Sequence, residues 1–130
     1  MFKQRRLQTT TRIVSVVVFG DRDETALLAM AASLALAVDD PLGAAILKTA
    51  PHGGIGLPHV EQIQLISERG VAGSVDGHMV VLGSSSFLAD RGLSIGNLGD
   101  WVERLAPQGQ MLTFLAVDGE LAGFLKLTLN

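Results

Sequence analysis

The first stretch of this chain whose residue types could do chemistry is Asp39-Asp40-Pro41, inside VDDPLG, which follows an uncharged run over residues 26–38. Two adjacent carboxylates could form an acid–base pair, hold a cation or cap a helix. No base or metal-ligand pattern stands beside them. An aspartate directly before a proline is the pattern of an N-cap and a first helical residue, because the proline lacks an N–H that would go unpaired there anyway. Asp40 is therefore expected to cap a helix over residues 41–49. His52 and His59 flank the loop PHGGIGLP. With the aspartates they match no metal-ligand spacing, so no metal site is expected. Ser84, Ser85 and Ser86 show no histidine–acid partner pattern and are expected to cap a short helix over residues 84–91.

The composition bounds what such residues can serve. With 130 residues, 48% of them hydrophobic, the chain suits one domain with a real core. A mean hydropathy of +0.38 is high for this size, and part of the apolar surface is expected to face a partner. Ten basic against 13 acidic residues give a net charge of −3, which leaves no electrostatic footprint for nucleic acid. The basic cluster at Lys3, Arg5 and Arg6 reads as a solvated end. Cysteine is absent, which excludes disulfides, thiolate metal sites and cysteine nucleophiles. Residues 26–38 fall far short of the roughly 20 apolar residues that span a bilayer. Residues 13–19 follow Arg5, Arg6 and Arg12 as a signal peptide might, but GDRD comes next in place of a small-residue cleavage site. That run reads as a strand, and a cytoplasmic protein without direct membrane insertion is expected.

The elements that must position these residues follow from periodicity and turn chemistry. Residues 13–19 are β-branched and apolar, as in a strand buried on both faces. Asp21 with Glu24 forms a capping-box variant, opening a helix that runs to about Val38. Leu27, Ala31, Leu34, Ala35 and Val38 share one face of it. Leu28, Ala32 and Leu36 form a second apolar stripe, so the helix is covered on both sides or presents a candidate partner surface at those three residues. Residues 60–67 alternate imperfectly. Asp76-Gly77 and Asp118-Gly119, each between apolar runs, signal tight hairpins. A further short helix is expected over residues 98–105, around Trp101. The class is α+β, with at least three antiparallel strands in the second half.

The wording of these elements resembles the nucleotide-binding (N) domain of heavy-metal-transporting P-type ATPases. That family reads, from its catalytic loop onward, DKTGTLT, a β-branched strand, a helix ending in SEHPLA, a G-x-G-V segment leading to VDG and LGN, and VAVDG-x-LAG. The matching stretches here are DDPLGAAI, RGVAGSVDGHMVVLGSSSFLADRG and QGQMLTFLAVDGELAGFLKL, collinear over about residues 12–128. The resemblance implies a roughly six-stranded antiparallel sheet flanked by helices, the domain that presents ATP to a phosphorylatable aspartate. It divides the chain into residues 1–11, a basic remnant of the phosphorylation loop, and an N-domain-like module over 12–130.

The departures from the pattern carry the functional expectation. KQRRLQ stands where KTGTLT belongs. Phe2 holds the place of the nucleophilic aspartate and cannot accept a phosphoryl group. The adenine-contacting histidine of SEHP falls on Asp40, and the glutamate five residues earlier falls on Ala35. The first glycine of G-x-G falls on Glu68; the second is kept as Gly70. The glycine of LGN is kept as Gly83, with Ser84 in place of the asparagine. Each lost contact is worth about 1–3 kcal/mol, and Asp40 and Glu68 add negative charge where a polyphosphate would lie. These residues, Asp40, Glu68, Gly70, Gly83 and Ser84, make a degenerate nucleotide site. The expectation is a stand-alone, non-enzymatic module that requires no cofactor and acts through protein contacts or self-association. The alternative is weak or altered nucleotide binding, ATP included, as a sensor or beside a separate metal-transporting ATPase.

Overall fold

The structure, a computed structural model, describes residues 12–39, 45–46, 57–93, 104 and 110–128. Among these residues, six strands and two helices have described bounds, in the order β1 (Arg12–Val18), α1 (Glu24–Ala37), β2 (Val60–Ser67), β3 (Gly70–Val75), β4 (His78–Gly83), α2 (Ser85–Asp90), β5 (Gln110–Val117) and β6 (Glu120–Thr128). The strands form one sheet in the order β1-β6-β5-β4-β3-β2, antiparallel throughout. The expected six-stranded antiparallel α+β architecture is therefore the observed one. The basic segment 1–11, most of the helix expected over 41–49 and most of that over 98–105 with Trp101 lie outside the described residues. Ala45 and Ile46, within the former, are helical and buried.

Side-chain alternation splits the interior into two layers, because successive strand residues point to opposite faces. Val71, Val80 and Leu115 join α1 residues Leu27, Ala31, Leu34 and Ala35 on one face. Their neighbours Ala72, Val81 and Ala116 join Phe87 and Leu88 of α2, with Phe114, on the other. The two central hairpins turn through Asp76-Gly77 and Asp118-Gly119. All four of these residues have positive φ, as a type I′ turn requires.

Three local expectations are corrected. The N-cap of α1 is Asp23, not Asp21: its carboxylate accepts from the Ala26 N–H at 3.3 Å. Strand β1 is not buried on both faces, since it is an edge strand with Ser15 exposed and Val16, Val17 and Val18 only partly covered. The second stripe of α1 is not a surface either. Leu28 and Ala32 are 5% and 1% exposed and belong to the same core cluster as the first stripe; Leu28 lines a cavity with Val16 and Val17 of β1 and Leu125 of β6. Only Leu36, 40% exposed, remains outward.

Strand β6 takes β1 at close range: a Cβ on Gly123 would run into the carbonyl oxygen of Val17. Gly123→Ala is expected to destabilise the fold by about 1–3 kcal/mol, read from the urea midpoint at unchanged m-value. Asp118 joins the two hairpins. Its N–H donates to the Met79 carbonyl at 2.8 Å, and its carboxylate accepts from the Met79 N–H at 3.0 Å and from Nδ1–H of His78 at 2.7 Å. The His78 hydrogen bond first, then that from Met79, holds the Asp118 carboxyl below its ordinary 3.8. A carboxyl lowered in the folded state adds stability above its unfolded pKa and loses it as pH falls through the folded one. The stability gap between the protein and Asp118→Asn should accordingly be present at neutral pH and close as acid takes the solution below 3.8, followed by denaturant unfolding at stepped pH.

Candidate nucleotide-site corner

The site residues named from sequence converge at one corner of the sheet, with one outside the description. Gly70 opens β3, Gly83 closes β4, and the two are direct cross-strand partners. Glu68 and Arg69 form the turn that leads from β2 into Gly70, and Ser84 follows Gly83 as the N-cap of α2. Asp40 lies outside the described residues. Ala35, at the position matching the family's glutamate, is fully buried in the core beneath α1.

Why glycine stands at both paired positions is visible in what a side chain would meet. A Cβ on Gly70 would lie 2.5 Å from Cδ2 of Phe87 and 2.6 Å from the Leu82 carbonyl oxygen. One on Gly83 would lie 2.6 Å from the Arg69 carbonyl oxygen and 2.9 Å from the same Phe87 carbon. The Phe87 ring, 2% exposed, thus occupies the space that two side chains would need. Neither glycine has a positive φ; close packing, not backbone conformation, demands them.

Around this pair runs a set of hydrogen bonds that ties the turn to α2. The Ser84 N–H donates to the Arg69 carbonyl at 2.9 Å, and Ser84 Oγ accepts from the Phe87 N–H at 3.2 Å, as a cap should. Its hydroxyl lies 3.1 Å from that of Ser86. The Arg69 N–H donates to Ser67 Oγ at 3.1 Å. Its guanidinium donates to Ser86 Oγ at 2.9 Å and to Asp90 Oδ2 at 2.6 Å. The Arg69 and Asp90 side chains are both well exposed. The ion pair itself is therefore worth no more than about 1 kcal/mol. Its effect is geometric: it commits the guanidinium to protein oxygens. Among the described residues, no group of three or more histidines and acids could hold a metal ion.

Sequence reasoning identified Glu68, Gly70, Gly83 and Ser84 but missed Arg69, Ser86, Phe87 and Asp90. Ser86 and Asp90 stand four apart on a helix, a spacing that puts them on one face. Their partner Arg69 lies 17 and 21 residues earlier, a distance no local pattern spans.

No family model matches the chain. Sequence relatives do. The chain is 36% identical over 112 residues to a copper-transporting P-type ATPase of Rhizobium leguminosarum, and 32% identical over 120 residues to a silver-exporting P-type ATPase of Salmonella typhimurium. These matches cover 86% and 92% of this chain but 13% and 14% of those proteins, so the chain corresponds to about one-seventh of their length. Among solved structures, the N-domain of HMA6, a copper-transporting P-type ATPase, superposes with a TM-score of 0.67 at 19% identity, over 91% of this chain and 98% of that one. A zinc-transporting PIB-type ATPase gives 0.72 at 20% identity, over 93% of this chain and 20% of that one. The fold is the N-domain fold of the P-type ATPases. Within that class, the chain belongs with the N-domain region of the copper- and heavy-metal-transporting P-type ATPases. Among the described residues, no helix is long and apolar enough to cross a membrane.

The Phe87–glycine contact gives an expectation that separates packing from ligand binding. Phe87→Ala should cost about 3–5 kcal/mol, and Gly70→Ala alone should also destabilise. In the Phe87→Ala background, Gly70→Ala should cost less by the share the ring contributes, while the collision with the Leu82 carbonyl oxygen remains. A double-mutant cycle on urea unfolding checks this through its coupling energy.

Proposed function

We propose that this chain is a non-catalytic N-domain-like module whose ATP pocket is degraded and which acts mainly through contacts with protein, in a regulatory or adaptor role. The observation that carries the reading is the Phe87 ring seated on Gly70 and Gly83. The two glycines that survive from the family's pocket have a packing reason to be glycine, so their presence does not argue for a bound nucleotide. The positions that would favour a base or a phosphate have changed chemistry. Ala35 is a buried methyl, Glu68 is an exposed carboxylate, and the nearby cation, Arg69, is engaged by Ser86 and Asp90. Phe2 in the place of the nucleophilic aspartate supports the non-catalytic part.

Support for protein contact comes from the residual apolar surface. Leu36, Ile63, Leu65 and Ile66 are 40%, 41%, 43% and 59% exposed, and three of them lie on one edge strand. The relatives are named for copper and silver transport, and a role for this module beside such a transporter is part of the same proposal. Binding of ATP or another nucleotide, where it occurs, would be weak and not required for folding.

An amide-resolved NMR titration with ATP, ADP and AMP into the millimolar range tests the pocket. The expected outcome is no saturable shift centred on Glu68, Gly70, Gly83 and Ser84. Saturable shifts confined to that corner would replace the reading with a nucleotide sensor, and Arg69→Ala would then be the variant that shifts affinity.

A further inference from the structure

Among the described residues, strand β2 is the least covered element. From Glu61 to Ser67 every residue is exposed, and among the described residues its backbone pairs only with β3. Its sequence, VEQIQLIS, has a single charge and no proline or lysine, the usual means of blunting an edge. Ile63 and Ile66 pair with Gly73 and Val71 on the α1 face, whereas Leu65 pairs with Ala72 on the α2 face, so apolar side chains flank the open edge on both sides.

The opposite edge of the same sheet is β1. Because the sheet has an even number of antiparallel strands, its two edges run in opposite directions. Moving a second copy sideways by one sheet width therefore sets its β1 antiparallel to β2 of the first, with the α1 faces on a common side. The strands match in length, with seven and eight residues. In that arrangement the start of β1, at the basic position Arg12, lies beside the end of β2, which leads into the acidic Glu68. Pairing β2 with itself would instead bring Glu61 of each copy toward Glu68 of the other, a like-charge contact at both ends.

We propose that the module associates with further copies of itself by head-to-tail edge pairing, β1 of one copy on β2 of the next. This deepens the protein-contact reading and rests on it, naming a second copy as the partner. The register shifts within β1 and β2 interrupt the free ladders, so association is weak and concentration-dependent. A heterologous contact of this kind does not close on itself as a two-fold dimer does; it continues or ends at a blocked copy.

Sedimentation velocity on residues 1–130, from micromolar to millimolar, is the test. Expected is a mass that rises beyond the dimer with concentration and falls back with added salt, as a charge-assisted contact should. Ile66→Lys blocks the β2 edge, and Ser15→Pro, at a register shift, blocks β1. Each variant alone should remain monomeric, and their mixture should form a dimer and stop. Ala37→Lys, which adds the same charge at an exposed position of α1 outside both edge strands, should associate like the parent. On the parent protein, amide exchange should slow with concentration in β1 and β2 and nowhere else, a readout that needs no variant to fold. A monomer at every concentration overturns the proposal, as does dimerisation of Ser15→Pro alone, which would mean β2-on-β2 pairing. Either result leaves the nucleotide titration above to judge the pocket independently.

Discussion

The architecture turns on one close contact, the Phe87 ring laid across the paired glycines at the end of the β3–β4 hairpin. With α2 only six residues long, helix propensity alone could not hold it in place. Burial of Phe87 and Leu88 against Ala72, Val81 and Phe114 does so, and the absent side chains at positions 70 and 83 let the ring come that near. Once α2 is seated, its first turn faces the β2–β3 turn. The hydrogen bonds of Ser84, Ser86 and Asp90 with Arg69 then follow as a consequence of placement. They are exposed and individually weak; together they hold a corner already formed by packing.

The other face of the sheet solves a different problem. Helix α1 is apolar around most of its circumference, and a sheet can cover only one side of a helix. Leu27, Leu28, Ala31, Ala32, Leu34 and Ala35 are all buried in one cluster with the strands, and Leu28 reaches as far as β1 and β6. The methyl of Ala35 suits that enclosure. A carboxylate at the same depth would need a buried partner or would be driven to the neutral form.

Much of the fold was legible because it rests on local chemistry. Asp76-Gly77 and Asp118-Gly119 announced their hairpins through the need for two successive positive φ angles, and Ser84 announced the start of α2. The resemblance supplied the strand number. What could not be read was set by tertiary neighbours. A β-branched run at residues 13–19 looks the same whether its strand is central or at an edge, and the strand order decides that. The second stripe of α1 left two readings open, cover or partner surface, because periodicity does not say how far the sheet reaches around the helix. Arg69 drew no reading from the sequence, because Ser86 and Asp90 become its neighbours only after α2 docks.

The pairing of β1 with β6 has a further consequence. It places Arg12 directly across from Thr128, so the backbone enters and leaves this unit at adjacent points on one margin of the sheet. A folded body with such a doorway can be set into a surface loop of a larger protein, because the host must bridge only the spacing between neighbouring strands. It can equally be lifted out without leaving a long gap to close. The same geometry makes the unit portable, able to fold around its own hydrogen-bonded seam whether its ends are joined to a host or left in solvent.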